Sequence, residues 1–100
     1  MEVTMGLVRD EQGVEISGLL DLPSGDRLEA MVAPLLTPGA RVTIGLEAVS
    51  LADSSGLGAL LELNEMAADN GAQLILRHPS PAVRRVLEVT DTAEYFTIAA

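Results

Sequence analysis

The chain has 100 residues, of which 48% are hydrophobic and 2% aromatic, and it carries a formal net charge of -9. This length fits one domain with one core, and the apolar content excludes a wholly disordered chain. The acidic balance disfavours nucleic acid and anionic membranes as partners, and the scarcity of aromatic rings removes the platforms on which single-stranded bases stack.

Turn residues divide the chain into strands and helices in alternation. The order predicts a single α/β domain over residues 1–100, with an N-terminal β-hairpin and then alternating helices and strands. We expect four or five strands in a mostly parallel mixed sheet packed by helices. Apolar spacing and turn signals predict strands at 3–8, 14–20, 42–46, 74–76 and 95–98, a hairpin turn at 10–13, and helices at about 24–36, 53–70 and 79–88.

Local signals refine these elements. Pro34 lies near the end of the first helix and is expected to end it early, and Gly71 suits the C-terminal cap of the second helix. The continuous apolar run at 74–76 is typical of a strand buried on both faces. In the third helix we expect Arg84 and Arg85 to face solvent.

Several kinds of chemistry are excluded by residue content. All basic residues are Arg, there is no Cys, and His78 is the single histidine. These facts remove P-loop and Schiff-base lysines, thiol catalysis, disulfides and clusters of histidine ligands. We therefore predict a protein-binding module that is not an enzyme and uses no cofactor or metal. Because the chain has no signal-peptide pattern and no run that could insert into a membrane, we expect it in the cytoplasm.

The sharpest motif is Asp53-Ser54-Ser55-Gly56-Leu57-Gly58, at the predicted start of the second helix. Asp53 or Ser54 can cap the helix by accepting backbone N–H bonds, an effect worth about 1 kcal/mol. A cap alone is one interpretation. However, Gly56 and Gly58 each cost a helix about 1 kcal/mol relative to Ala. They add no bulk, which would let another protein's backbone or a nucleotide come close.

This motif resembles the signature of STAS domains, in particular of bacterial anti-sigma factor antagonists. The Gly18-Leu19-Leu20-Asp21 segment resembles that family's Gly-Glu-Leu-Asp, and the segments 81–87, 90–91 and 95–98 resemble its C-terminal helix and closing segment. The chain departs from the pattern at Leu19, where the family usually has an acidic residue, and at Gly45, where it often has Asp. Loss of the acid at Leu19 is expected to affect partner choice.

The resemblance implies a phosphorylation switch. The unmodified protein would bind an anti-sigma factor that is also a serine kinase, and so free the sigma factor. The kinase would phosphorylate Ser55 and a Ser/Thr phosphatase would restore the active form. Asp53 would orient the loop or the serine, and Asp21 would lie on a neighbouring loop of the same face.

The second helix carries an apolar arc of roughly 220°, wider than the stripe that a helix on a sheet requires. One interpretation is that neighbouring helices cover the excess. The other is that Leu63 and Met66 form part of the docking surface. We accordingly predict a partner-binding set of eight residues: Asp21, Asp53, Ser54, Ser55, Gly56, Leu57, Leu63 and Met66.

Two alternatives remain open. A serine hydrolase could in principle use Ser55, His78 and an Asp, but the chain has no G-x-S-x-G elbow. A STAS domain can also serve as a subunit of a lipid-transport ABC complex or as part of a stress-sensing scaffold. The intact Ser54-Ser55 pair favours the phosphorylation switch.

Overall fold

The computed structural model describes residues 2–8 and 11–99, with side chains from residue 13 onward. Five strands form one sheet in the order β1-β2-β3-β4-β5. The strands are β1 (Glu2–Val8), β2 (Glu11–Leu20), β3 (Arg41–Ala52), β4 (Gln73–Arg77) and β5 (Thr97–Ala99). The helices are α1 (Leu22–Val32), α2 (Ser54–Asn70) and α3 (Pro81–Thr90), with 3-10 turns at Ala33–Leu35 and Ala93–Tyr95.

Strand pairing confirms the predicted α/β class. The β1 and β2 strands pair antiparallel, whereas the pairs β2–β3, β3–β4 and β4–β5 are all parallel. A parallel pair requires a crossover, and α1, α2 and α3 supply the three crossovers in turn. The carboxyl ends of β2, β3 and β4 therefore share one edge of the sheet, which is where ligands bind in open α/β folds.

Two predicted boundaries were wrong for identifiable reasons. The hairpin turn does not extend to Gly13, because β2 begins at Glu11 and Gly13 pairs with Gly6 inside the ladder; Asp10 lies outside the described residues. The α1 helix starts at Leu22, earlier than expected, because Asp21 caps it. It ends at Val32, since Pro34 cannot continue α-helical bonding, and the chain passes into a 3-10 turn.

The β3 strand has 12 residues, far more than the segment predicted. It pairs with β4 only from Arg41 to Gly45 and then continues beside β2 as a two-stranded ribbon. Register shifts between Glu15 and Ser17 and between Gly18 and Leu19 mark two irregularities, each with one extra residue on β3. Such bulges rotate the side chains that follow them.

One hydrophobic cluster lies between the sheet and the helices. All three helices contribute to it, which fits a single domain core. Full burial of a Leu or Val side chain contributes about 1.5–3 kcal/mol, so this cluster supplies the main stabilisation. Its fully buried aliphatic members include Val14, Ile16, Leu20, Leu28, Val32, Val42, Ile44, Leu46, Leu60, Leu63, Leu76 and Val83.

The cap of α2 and the faces of α3 agree with the sequence predictions, although α3 runs from Pro81 to Thr90 instead of 79–88. Gly71 adopts φ 72° as the left-handed cap of α2. In α3, Val83 and Leu87 are buried, while Arg84 and Arg85 are exposed. The three residues 74–76 of β4 are all buried, as the continuous apolar run indicated.

Candidate partner-binding and modification site

The site is built where β2 and β3 end side by side. Leu20 and Ala52 are register partners, and each strand is followed at once by an aspartate that caps the next helix. The backbone N–H of Asp53 donates to the carbonyl of Leu20 at 3.1 Å, which ties the two strand ends together. The structure thus brings Asp21 and the Asp53–Gly58 motif to one edge, as the resemblance implied.

Asp21 begins α1 through reciprocal bonds with Ser24. The Ser24 backbone N–H donates to Asp21 Oδ1 at 3.1 Å, and the Asp21 N–H donates to Ser24 Oγ at 2.8 Å. The Ser24 hydroxyl also donates to Asp21 Oδ1 at 2.8 Å. These bonds, the hydroxyl bond above all, lower the pKa of Asp21 and keep its carboxylate charged.

Asp53 begins α2, and the two serines follow it in the first turn. Asp53 Oδ1 accepts from the backbone N–H of Gly56 at 2.9 Å. Asp53, rather than Ser54, is therefore the cap, and both serine hydroxyls are left for other contacts. Ser54 and Ser55 are exposed. Because a helix start carries partial positive charge and free N–H groups, it tolerates a phosphate on either serine.

Gly56 is required by packing inside the molecule, not by an external partner. A Cβ placed on Gly56 would lie 2.2 Å from the Leu20 carbonyl oxygen and 2.6 Å from the Leu20 carbonyl carbon. The prediction that Gly56 leaves room for another protein's backbone was therefore wrong, since Leu20 already fills that space. This contact presses the start of α2 against the end of β2.

Gly58 has the opposite environment. Apart from its chain neighbours and the backbone of its own helix, nothing lies within 4 Å of the Cβ that could be placed there, and the residue lines a surface groove between α1 and α2. Packing within the described residues therefore gives no reason for a glycine at this helical position. Of the two glycines, only Gly58 leaves room for another molecule to approach the helix.

The three residues Asp53, Ser54 and Ser55 face three different concavities. Ser55 lies in the α1–α2 groove, which has a volume of about 230 Å³. Ser54 lies in a groove of about 330 Å³ between the end of β3 and α3. Asp53 lies with Asp21 in a third concavity of about 340 Å³, above the ends of β2 and β3. The two neighbouring hydroxyls are thus presented to different surfaces.

The α1–α2 groove is acidic. Asp26, Glu29 and Glu62 line it together with Ser55. A hydrogen bond to Glu62, partial burial, and the nearby charges of Glu62 and Asp26 raise the pKa of Glu29 to about 7. A phosphate on Ser55 would add negative charge to a groove that already concentrates it.

The apolar part of the predicted docking surface was wrong. Leu63 is 0% exposed and belongs to the core cluster, so its side chain cannot contact a partner. Leu57 and Gly56 are also buried, and Met66 is half-buried against the core. Neighbouring elements cover the wide apolar arc of α2. The first of the two interpretations of that arc, packing inside the domain, therefore applies. Asp21, Asp53, Ser54 and Ser55 stay accessible.

Large apolar side chains around the motif were missed. Leu51 is 64% exposed and Val89 is 77% exposed, and both line the groove that contains Ser54. Leu19 lies opposite Leu51 in register and is also exposed, as is Leu22 beside Ser55. Leu19 and Leu51 each lie two residues before a capping aspartate, and strand alternation in the sequence did not separate inward from outward positions there.

His78 does not join the serines. It is exposed at the end of β4, and its backbone N–H donates to the carbonyl of Ala99. The residues that line the grooves at Ser54 and Ser55 do not include it.

Across residues 2–8 and 11–99, no group of three His, Asp or Glu residues could hold a metal ion. Nor does any helix in that part of the chain have the length and apolar character to cross a bilayer.

These features define a small α/β domain with an exposed, capped serine pair at the carboxyl edge of its sheet. The family model described as "Mlab, STAS domain" matches residues 3–98. The chain belongs to the STAS domain family.

Its relatives include regulators of sigma factors. The anti-sigma-B factor antagonist of Bacillus subtilis is 28% identical over 102 residues, covering 100% of this chain and 94% of the relative. A STAS-domain containing protein of Pseudomonas aeruginosa is 32% identical over 90 residues, covering 89% of this chain and 88% of the relative. The anti-sigma-B factor antagonist of Staphylococcus aureus is 31% identical over 78 residues, covering 77% and 72%.

Solved structures share the fold. The anti-sigma factor antagonist SpoIIAA in its unphosphorylated form has a TM-score of 0.78 at 24% identity, covering 99% of this chain and 89% of that chain. The phosphorylated Bacillus SpoIIAA has a TM-score of 0.72 at 22% identity, covering 99% and 92%. An anti-sigma factor antagonist from Mycobacterium paratuberculosis has a TM-score of 0.78 at 24% identity, covering 97% and 83%.

Proposed function

We propose that this chain is an anti-sigma factor antagonist controlled by phosphorylation of Ser55. In the unmodified form it binds an anti-sigma factor that is also a serine kinase, and so frees the sigma factor. A Ser/Thr phosphatase reverses the modification. The observation that carries the proposal is the exposed Ser55 hydroxyl, in the second position of α2 after the Asp53 cap, in a chain whose relatives include anti-sigma-B factor antagonists.

Ser55 is the favoured phosphate acceptor of the pair. In the kinase reaction its Oγ bonds to the γ-phosphorus of ATP, ADP leaves, and the hydroxyl proton passes to a base of the kinase. The acceptor must enter a kinase active site, and the groove beside Ser55 has a low wall because Gly58 carries no side chain. The cap bond of Asp53 holds the turn in place during this approach.

The charge of the phosphate explains why phosphorylation of Ser55 weakens partner binding. Phosphorylation adds about -1.5 to -2 charge at neutral pH. In this chain that charge enters a groove lined by Asp26, Glu29 and Glu62, on a molecule whose formal net charge is already -9. The helix start tolerates the phosphate, so the fold is retained. A partner packed over the serine is displaced by repulsion and by the cost of desolvating the new dianion.

The test is incubation with candidate anti-sigma factor kinases and ATP, followed by intact-mass measurement and a binding assay. We expect the wild type to bind the kinase, gain one phosphate and then lose affinity. Ser54→Ala is the matched control, because it removes the neighbouring hydroxyl and leaves Ser55 in place. We expect Ser54→Ala to accept phosphate and Ser55→Ala to accept none. A Ser55→Ala chain that is still phosphorylated would refute the assignment.

The same preparation tests the other candidate roles. As a binding protein acting on sigma-factor control, the chain would work in the cytoplasm, use no cofactor and lack esterase activity. Ester hydrolysis that disappears in both Ser55→Ala and His78→Ala would instead support a hydrolase. Co-purification with a membrane ATPase, and none with an anti-sigma kinase, would support a lipid-transport subunit.

A further inference from the structure

The α1 and α2 helices pack closely at two small residues. A Cβ placed on Gly25 would lie 2.9 Å from the Ala59 Cβ and 3.8 Å from the Ser55 carbonyl oxygen. Both Gly25 and Ala59 are buried. The two helices begin at the carboxyl edge of the sheet and lead back to the next parallel strand, so they run in the same general direction. Side chains one turn beyond this contact therefore lie close to each other.

One turn beyond the contact, each helix carries a glutamate. Glu29 follows Gly25 by four residues, and Glu62 follows Ala59 by three. These are the spacings of neighbours on one helix face. Both glutamates line the α1–α2 groove, and a hydrogen bond joins their side chains. Because ionised carboxylates only accept hydrogen bonds, this contact requires one proton held between the two residues.

Among the described residues of the groove, no basic side chain neutralises the two carboxyl groups. The lining includes Asp26 as a third acid and neither Arg nor His. Arg27 is exposed and lies two positions from Glu29, a spacing at which side chains do not face each other on a helix. The hydrogen bond to Glu62, partial burial, and the charges of Glu62 and Asp26 raise the pKa of Glu29 to about 7. The proton is therefore what offsets the repulsion between the carboxylates.

The other elements packed against α1 add no titratable group to the described part of the groove. The 3-10 turn Ala33–Leu35 consists of Ala, Pro and Leu. Of the β2 side chains that the structure describes, Glu15 is the titratable one, and its carboxylate lies against Gly45 of β3 instead. The remaining acids on or next to the two helices lie outside the groove lining, and they are Asp21, Asp53, Glu65 and Asp69. The proton is therefore shared by Glu29 and Glu62.

We propose that Glu29 and Glu62 form a proton-binding pair that is coupled to phosphorylation of Ser55. Below neutral pH, a proton from solvent occupies one carboxylate oxygen of the pair. Ser55 lines the same groove, so a phosphate on its Oγ adds negative charge beside the pair, and the proton is bound more tightly. Because linkage is reciprocal, binding of the proton favours the phosphorylated state by the same factor. The coupling rests on the proposed function, whereas the pair itself does not.

The pair is tested on the unmodified chain by NMR titration of the glutamate carboxyl groups, from about pH 4 to about pH 9. We expect Glu29 to titrate at about pH 7. Glu62→Gln should lower this midpoint, because the amide can donate to an ionised Glu29. Glu65→Gln is the matched control and should leave the midpoint unchanged, because Glu65 is exposed on the same helix and lies outside the groove lining. Circular dichroism checks that both variants fold. Titration of both Glu29 and Glu62 in the ordinary range of a glutamate would refute the pair.

The coupling is tested with a charge placed at either serine. Ser55→Glu adds a carboxylate to the α1–α2 groove without the titration near neutral pH that a phosphate has. Ser54→Glu is the matched control, because it adds the same charge to the neighbouring groove beside α3. We expect Ser55→Glu to raise the proton affinity of Glu29 by about two- to fivefold, the range for charges that interact at a solvent-exposed surface, and Ser54→Glu to raise it by less. Equal effects of the two variants would overturn coupling through the groove.

Titration of the phosphorylated chain separates this coupling from the proposed function. If an anti-sigma kinase phosphorylates Ser55 and the Glu29 midpoint then rises, as in Ser55→Glu, both are supported. If Ser55 is phosphorylated and the Glu29 midpoint stays unchanged, the coupling is wrong and the proposed function stands. If no anti-sigma kinase binds or phosphorylates the chain, while Ser55→Glu still raises the Glu29 midpoint, the proposed function fails and the proton-binding pair stands.

Discussion

Alanine substitutions at Gly56 and Gly58 should change stability in opposite directions, although both glycines occupy the first two turns of α2. At Gly58 the added methyl group meets nothing within 4 Å outside its chain neighbours and the backbone of its own helix. The change then gains helix propensity alone, about 1 kcal/mol. At Gly56 the methyl group would lie 2.2 Å from the Leu20 carbonyl oxygen.

A methyl group on Gly56 is costly because the atoms that it would meet first belong to the backbone of Leu20. Leu20 is fixed by pairing with Ala52 and by the N–H of Asp53, so it cannot rotate away as a flexible side chain would. Overpacking of this kind costs about 3 kcal/mol at the upper end of the usual range, against which the helix gains about 1 kcal/mol. The net expectation for Gly56→Ala is a loss of about 2 kcal/mol.

Thermal denaturation measures the contrast directly. In a domain of this size, 1 kcal/mol corresponds to a Tm shift of about 4–8 °C. Gly58→Ala should therefore melt about 4–8 °C above the wild type, and Gly56→Ala about 8–16 °C below it. Urea unfolding with an unchanged m-value would show that the native states differ only in stability. If the two variants melt together, the close approach of α2 to β2 is not as described.

Four further substitutions probe the cap of α2, the α1–α2 groove and the contact between β2 and β3. Asp53→Ala should lower the free energy of unfolding by about 1 kcal/mol, as loss of a helix cap does. Asp53→Asn should keep most of the stability that the cap provides, and urea titrations measure both changes. Glu62→Gln removes a negative charge beside Glu29 and should stabilise the fold by about 0.5 kcal/mol at pH 8. The raised pKa of Glu29 means that its protonated form favours folding below about pH 7, so this gain should shrink at pH 5; a pH-independent gain would contradict the pairing. Gly45→Ala should cost under about 1 kcal/mol by calorimetry, because the atoms it meets are the mobile end of Glu15.

The element order followed from the sequence because local signals agreed with one another. Alternating apolar residues predict strands, Pro34 predicts the end of a helix and Gly71 predicts a helix cap. The structure has these features in the predicted order. The Asp53 motif was equally local, since a cap is made by residues three apart. Elements and caps of this kind need no knowledge of distant neighbours.

The apolar surface of the site could not be found in the same way. Whether Leu63 is covered depends on the elements that pack over α2, which helical spacing does not specify. Whether Leu51 is exposed depends on an extra residue in β3 relative to β2, and this is a property of pairing between two strands. Gly56 and Gly58 look alike in the sequence, and only the position of Leu20 separates them.

Because β2 and β3 pair irregularly, the exposed side chains at the end of β3 can change independently of the core. The core residues Val42, Ile44 and Val49 precede the second register shift, and the last residues before Asp53 lie beyond it. Lengthening or shortening β3 by one residue near Ser50 would invert which side chains look outward at that end, without disturbing Val42 or Ile44. The exposed surface could therefore diverge through single-residue insertions and deletions while the serine, its cap and the core residues of β3 before Ser50 are preserved.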